Sequence, residues 1–130
     1  MQKVVLDTNI IISNAISDKG NPAKIMTLVS DKRLIICYNA EILSEYMEVL
    51  SRKRFNFSPA KQKFPVDKIK ELGLLIEPNV SDIELPDESD RIFYDTAKAA
   101  GAYLITGNLK HYPEEPHILL PAKFMEAIGQ

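Results

Sequence analysis

The run Val4-Val5-Leu6-Asp7-Thr8-Asn9-Ile10-Ile11-Ile12 decides how the chain is read. β-Branched apolar residues lead straight into an aspartate, two small polar residues follow, and apolar residues resume. A buried strand that delivers a carboxylate at its C-terminal end belongs to open α/β sheets, where ligands sit in the crevice outside the carboxyl ends of the strands. Working outward, the question is which other residues meet Asp7 in that crevice.

Residues 2–6 read as the first strand, and the apolar run from Ile10 turns polar by Ser17. Asp18-Lys19-Gly20-Asn21-Pro22 is a turn, with Pro22 opening a helix over 22–31 whose Ile25, Met26, Leu28 and Val29 have helical spacing. Leu34 to Tyr38 is a second strand. Asn39 caps a helix over 39–54, with an apolar stripe of Ile42, Leu43, Tyr46, Met47, Val49 and Leu50. Glu45 falls at the edge of that stripe, where its side chain can point along the rim of a sheet. Residues 59–73 suggest a polar helix or helical hairpin broken near Pro65 and stopped by Gly73. Further strands are expected at 74–76, 103–106 and 118–120, with a helix at 88–100 capped by Asp87 and a final one from Pro121. Asp95 is expected to face solvent. Strands alternating with helices, the strands almost wholly apolar, argue for a parallel sheet covered on both faces. No repeat or linker divides the chain, so one domain over 1–130 is expected.

Charge is divided unevenly. Residues 1–70 carry 12 Lys/Arg and 7 Asp/Glu, whereas residues 71–130 carry 4 and 11. That asymmetry fits an acidic metal site beside a surface that meets polyanions, and equally fits chance clustering of solvated charge. The lone Cys37 excludes an internal disulfide and sits in an apolar run as a small buried hydrophobe. No signal-like or membrane-spanning apolar run is present, so a cytoplasmic protein without a membrane partner is expected.

Parallel strands put their ends on one rim. Asp7 after strand one, Glu45 on the second helix, Asp90 in the first turn of the helix before strand four, and Thr106 and Asn108 after strand four can therefore converge. Oxygen ligands without His or Cys suit Mg²⁺ or Mn²⁺. Phosphodiester cleavage is the chemistry that wants several carboxylates, because the metal neutralises the phosphate, activates a water and stabilises the leaving oxygen. Each residue also has an ordinary explanation: Asp7 as a strand end, Glu45 as an exposed helix residue, Asp90 as a helix-start acid. Asp87 and Glu88 read as cap and dipole partners.

In this order the motifs VVLDTNIIIS at 4–13, Glu45 within ILSEYMEVL at 42–50, PDESDRIFYDTAKAAGAYLITGN at 86–108 and LKHYP at 109–113 resemble the PIN-domain family, of the kind that supplies VapC-like toxins of type II toxin–antitoxin pairs. The resemblance spans nearly the whole chain. It implies a three-layer α/β/α fold around a central, mostly parallel five-stranded sheet, with acids gathered about Mg²⁺ or Mn²⁺. By position, Asp7, Glu45 and Asp90 match the family's three central acids, Thr8 and Asn9 would orient Asp7, and Thr106 would line the site. Many members have aspartate where this chain has Asn108, which as a ligand offers one neutral oxygen and leaves one or two metals open.

Arg52, Lys53 and Arg54 follow the helix that carries Glu45 and are candidates to hold RNA phosphates, as is Lys110; for the first three, a solvated helix end is the alternative. His111 is not expected to act as a general base. The resulting expectation is a metal-dependent endoribonuclease, the toxin of a pair, with an antitoxin partner and possible homodimerisation. The competing reading is a PIN-like RNA-binding or regulatory module with weak or lost catalysis, favoured by Asn108. A haloacid-dehalogenase-type phosphatase fits poorly, because its Asp-x-Asp is here Asp7-Thr8-Asn9.

Overall fold

The computed structural model describes all of residues 1–130. Five strands, β1 (Lys3–Leu6), β2 (Ile35–Tyr38), β3 (Leu74–Leu75), β4 (Tyr103–Ile105) and β5 (Ile118–Leu119), form one sheet in the order β3-β2-β1-β4-β5. Every pairing is parallel. The helices are α1 (Thr8–Ile16), α2 (Asn21–Ser30), α3 (Ala40–Leu50), α4 (Pro59–Leu72), α5 (Arg91–Ala100) and α6 (Pro121–Ala127). Helix α5 packs across β1, β2 and β4, α4 lies on β2, and α2 joins α1 to α6, so that the sheet is the middle of three layers. None of the helices is long and apolar enough to cross a membrane.

The strands are apolar on both sides because both faces are covered. Val4, Val5, Leu6, Ile36, Leu104 and Ile105 are completely buried. Fully burying a side chain of this size contributes about 1.5–3 kcal/mol, and these six sit in one continuous core with Ile25, Tyr46, Phe93 and Phe124. The strand order sets the site. Successive strands from β1 run to one edge, and the chain then crosses to place β4 on the other side of β1. The crevice expected at such a switch point opens outside the ends of β1 and β4, where Asp7 and Thr106 stand.

Two local readings change, and the apolar run after Asp7, assigned to no element from the sequence, is α1, which begins at Thr8 directly after β1. Helix α4 is continuous through Pro65. A mid-helix proline frees the carbonyl four residues earlier, at a cost of about 3 kcal/mol when nothing else satisfies it; here that carbonyl belongs to solvent-exposed Lys61, where water can take the missing bond. Asp95 is buried, not solvated. Its Oδ2 accepts from the Ser81 amide at 3.1 Å, and Arg91, one turn earlier on α5, donates to the Ser81 carbonyl at 2.9 Å and to the Ile83 carbonyl at 2.6 Å. The extended link between β3 and α5 is thereby pinned to the helix.

Gly73 does more than end α4. A Cβ there would come within 2.6 Å of the Ile69 carbonyl and 2.8 Å of the Tyr38 ring, so the α4–β3 corner has room only for glycine.

Candidate metal centre

Asp7 and Asp90 are the two buried acids at the switch-point rim. The Asp7 amide donates to the Ile105 carbonyl at 2.9 Å, and the Thr106 amide to the Leu119 carbonyl at 3.0 Å, which extends the β1–β4–β5 ladder one residue past the strands. The backbones of Asp7 and Thr106 are thus fixed side by side. The Thr106 hydroxyl donates to Asp7 Oδ2 at 2.8 Å, and the Tyr112 hydroxyl donates to the same oxygen at 3.0 Å. Thr106 Oγ1 in turn accepts from the Asn108 amide at 3.0 Å, which directs its own proton to the carboxylate.

Asp7 is the N-cap of α1, yet its carboxylate caps nothing. Asp90, at the end of a 3₁₀ turn (Glu88–Asp90), is the N-cap of α5 and likewise makes no cap bond. By contrast, Asn39 accepts from the Ile42 amide, Ser58 from the Lys61 amide and Asp87 from the Ser89 amide. A capping bond contributes about 1 kcal/mol. The two acids that forgo it are the two buried ones at this rim, and the Asp7 charge acts on Asp90.

Asp90 Oδ2 is buried and has no hydrogen-bond donor. His111 Nδ1 lies 3.1 Å away, as an ion-pair contact outside hydrogen-bonding geometry. Burial pushes the Asp90 carboxyl up to about 6, the Asp7 charge pushes in the same direction, and His111 offsets part of the shift. The His111 Nε2 faces Asn108 Nδ2 at 2.9 Å, which ties the ring to the loop after β4.

Glu45 lies half-buried on α3. Next to it, the fully buried Tyr46 donates its hydroxyl to the Leu6 carbonyl and stacks on Phe93, ring centroids 6.0 Å apart, which docks α3 against the end of β1. The Glu45 carboxyl is raised first by burial and then by Glu48, with Arg52 opposing and Asp7 and Asp87 adding smaller contributions. Its field therefore reaches the Asp7 rim. As the side chains stand, no three His, Cys, Asp or Glu groups are drawn tightly enough together to enclose an ion.

The structure links Asp7 to Thr106 and Thr106 to Asn108 by hydrogen bonds, with Asp90 and Asn108 both against His111, whereas Glu45 makes no hydrogen bond or ion pair with any of them. Thr8 and Asn9 do not touch the Asp7 carboxylate: Thr8 Oγ1 is buried without a partner, and Asn9 Oδ1 accepts from the Gly107 amide at 2.9 Å, fastening the loop after β4. Arg52 is engaged by Glu48 at 2.9 Å, whereas Lys53, Arg54 and Lys110 are exposed, Arg54 lying 4.7 Å over the Phe55 ring. Tyr112 was not singled out from the sequence. An aromatic hydroxyl set directly before Pro113, close after the strand that meets Asp7, is the signal that could have found it.

A sequence profile of the PIN domain matches residues 3–110. The chain belongs to the PIN-domain family. Members of this family are generally nucleases. The chain is also 29% identical over 109 residues to an uncharacterised protein, MJ1680, of Methanocaldococcus jannaschii, a match covering 82% of this chain and 70% of that protein. The PIN fold is also seen in the crystal structure of VapBC2 from Rickettsia felis bound to a DNA fragment from its promoter. That likeness has a TM-score of 0.60 at 18% identity and covers 92% of this chain and 97% of the other.

The donor set of this PIN domain fits a hard divalent cation. Asp90 Oδ2 is a buried carboxylate oxygen with no donor, beside a second buried carboxylate at the ends of two helices, an arrangement that a cation would satisfy and that is unfavourable without one.

Proposed function

We propose that this PIN domain is a metal-dependent endoribonuclease, the toxin component of a toxin–antitoxin pair. The observation that carries the reading is the buried, donor-less Oδ2 of Asp90 next to Asp7 at the switch-point rim. Asp7, Asp90 and Glu45 would hold Mg²⁺ or Mn²⁺, with the Asn108 side-chain oxygen as a weaker, neutral contributor. When bound, the ion supplies charge neutralisation on the phosphate and activation of the attacking water.

The chain's own part is to present these oxygens and to hold the substrate. Thr106 fixes the Asp7 carboxylate. Asn9 keeps the loop after β4 against the head of α1. Lys53, Arg54 and Lys110 hold RNA phosphates, which draws the polyanion to an acidic centre that would otherwise repel it. His111, 3.1 Å from Asp90, offsets part of the upward shift that burial and Asp7 impose on that carboxyl. The antitoxin reading is supported by the likeness to a chain of a VapBC complex and by a groove of about 570 Å³ between α1, α2 and α4 that carries the exposed ring of Phe64.

The test is cleavage of single-stranded RNA with Mn²⁺ or Mg²⁺ added. Cleavage should vanish with chelator and in Asp7→Asn. RNA binding without metal-dependent cleavage by the parent protein would instead establish a binding module that has lost catalysis, the reading that Asn108 favours.

A further inference from the structure

Two hydroxyls, from residues 106 and 112, converge on a single oxygen of Asp7. Thr106 belongs to the strand end. Tyr112 lies two residues beyond the stretch that matches the family profile, after a 3₁₀ turn (Leu109–His111). Its ring is buried, 7% exposed, although the turn before it is at the surface. The turn is closed by the Tyr112 amide donating to the Leu109 carbonyl at 3.1 Å, and the residue before Tyr112 is the His111 that faces Asp90. One short segment thus reaches both buried acids, Tyr112 donating to Asp7 and His111 lying 3.1 Å from Asp90.

We propose that Tyr112 is a positioning residue for the cation site. With Thr106 it saturates Asp7 Oδ2, which fixes the rotation of the carboxylate and leaves Oδ1 as the oxygen offered to the ion. This rests on the metal-dependent reading above. A carboxylate free to turn about its terminal torsion samples a broad range of orientations, and two donors on one oxygen remove that freedom. Groups that orient a metal ligand in this way change affinity by about 10–100-fold when lost. A phenylalanine at 112 would fill the same volume and remove only the donor.

Mn²⁺ binding to the full chain, followed by the electron paramagnetic resonance of the free ion at neutral pH, tests this in parent and Tyr112→Phe. The variant should bind at least about tenfold more weakly. Lys123→Ala, at an exposed position on α6 away from the rim, should bind like the parent. A purely structural tyrosine would lower the melting temperature of the metal-free variant and leave Mn²⁺ affinity unchanged, and that result overturns the inference while the metal reading stands. Absence of Mn²⁺ binding by the parent overturns both. A second measurement needs no variant: with ¹³C-tyrosine labelling, the Cζ resonance of Tyr112 should move on addition of Mg²⁺ to the parent, and a resonance that stays in place at saturating Mg²⁺ also overturns the proposal.

Discussion

Asp7 and Asp90 occupy the same position, the N-cap, on α1 and α5, and neither carboxylate caps its helix. Both stand where the helix dipole favours negative charge, which eases the cost of burying two acids together without removing it. The remaining cost shows in Asp90, whose carboxyl is raised to about 6.

That shift predicts an inverted pH dependence. A carboxyl whose folded-state pKa lies above its unfolded value contributes its stability at low pH and loses it as pH rises through the interval, here from about 4 to about 6, because the folded state holds the proton more tightly. The contribution is of order 2 kcal/mol. Glu45, also raised, acts in the same direction. In chelator, urea midpoints of the parent should fall relative to Asp90→Asn as pH increases over this window. Parallel pH profiles for parent and variant would refute the coupling of Asp90 to its surroundings.

Asn39 joins three elements through one buried side chain. Its oxygen caps α3 at Ile42, and its amide donates to the Ile76 carbonyl at 3.1 Å and to Thr96 Oγ1 at 2.9 Å, linking α3, the chain after β3 and α5. Asn39→Ala loses the cap and leaves buried partners unpaired. A loss of about 2–4 kcal/mol is expected from equilibrium urea unfolding with an unchanged m-value. A loss under about 1 kcal/mol would mean that water replaces the amide.

Arg91 carries the second tether. Its guanidinium donates to the carbonyls of Ser81 and Ile83 while pairing with Glu88 at 2.5 Å, and its side chain is only 15% exposed. Arg91→Ala should release the extended segment between β3 and α5 without unfolding the sheet. Faster proteolysis and amide exchange confined to residues 79–86 are expected, with the β1 and β4 amides still protected. Uniform loss of protection would place Arg91 in the global fold instead.

The strands were legible because parallel strands buried on both faces are continuous apolar runs, as at Leu34 to Cys37 and Tyr103 to Ile105. The Asn39 cap was legible for a local reason as well, since it bonds a residue three positions on. Helix α1 was not, because Ile10-Ile11-Ile12 are three adjacent isoleucines, all buried, and carry no helical period; the neighbouring Asp7 gave no cap signal because its carboxylate turns to Thr106. Asp95 was misread because its burial depends on the segment around Ser81, which lies 14 residues earlier and bonds it from outside the helix. Tyr112 reaches Asp7 across 105 residues, a contact that no local pattern announces.

The basic residues after α3 differ in how free their charge is, and that difference predicts their effect on RNA. Arg52, just past the end of α3, is held by Glu48 of that helix through two nitrogens at 3.3 and 2.9 Å. Lys53 and Arg54, in the 3₁₀ turn Lys53–Phe55, have no carboxylate partner. A contact to a single-strand phosphate contributes about 0.7 to the slope of log affinity against log salt. Binding of single-stranded RNA to the Asp7→Asn background, which leaves the strand uncut, should lose up to about 1.4 from that slope when Lys53 and Arg54 are both changed to Ala. Arg52→Ala should change the slope less than either, since removing it also frees the Glu48 charge beside the same surface. If the double variant keeps the parental slope, the RNA does not run over this turn, and the exposed Lys110 after β4 becomes the place to look for the phosphate path.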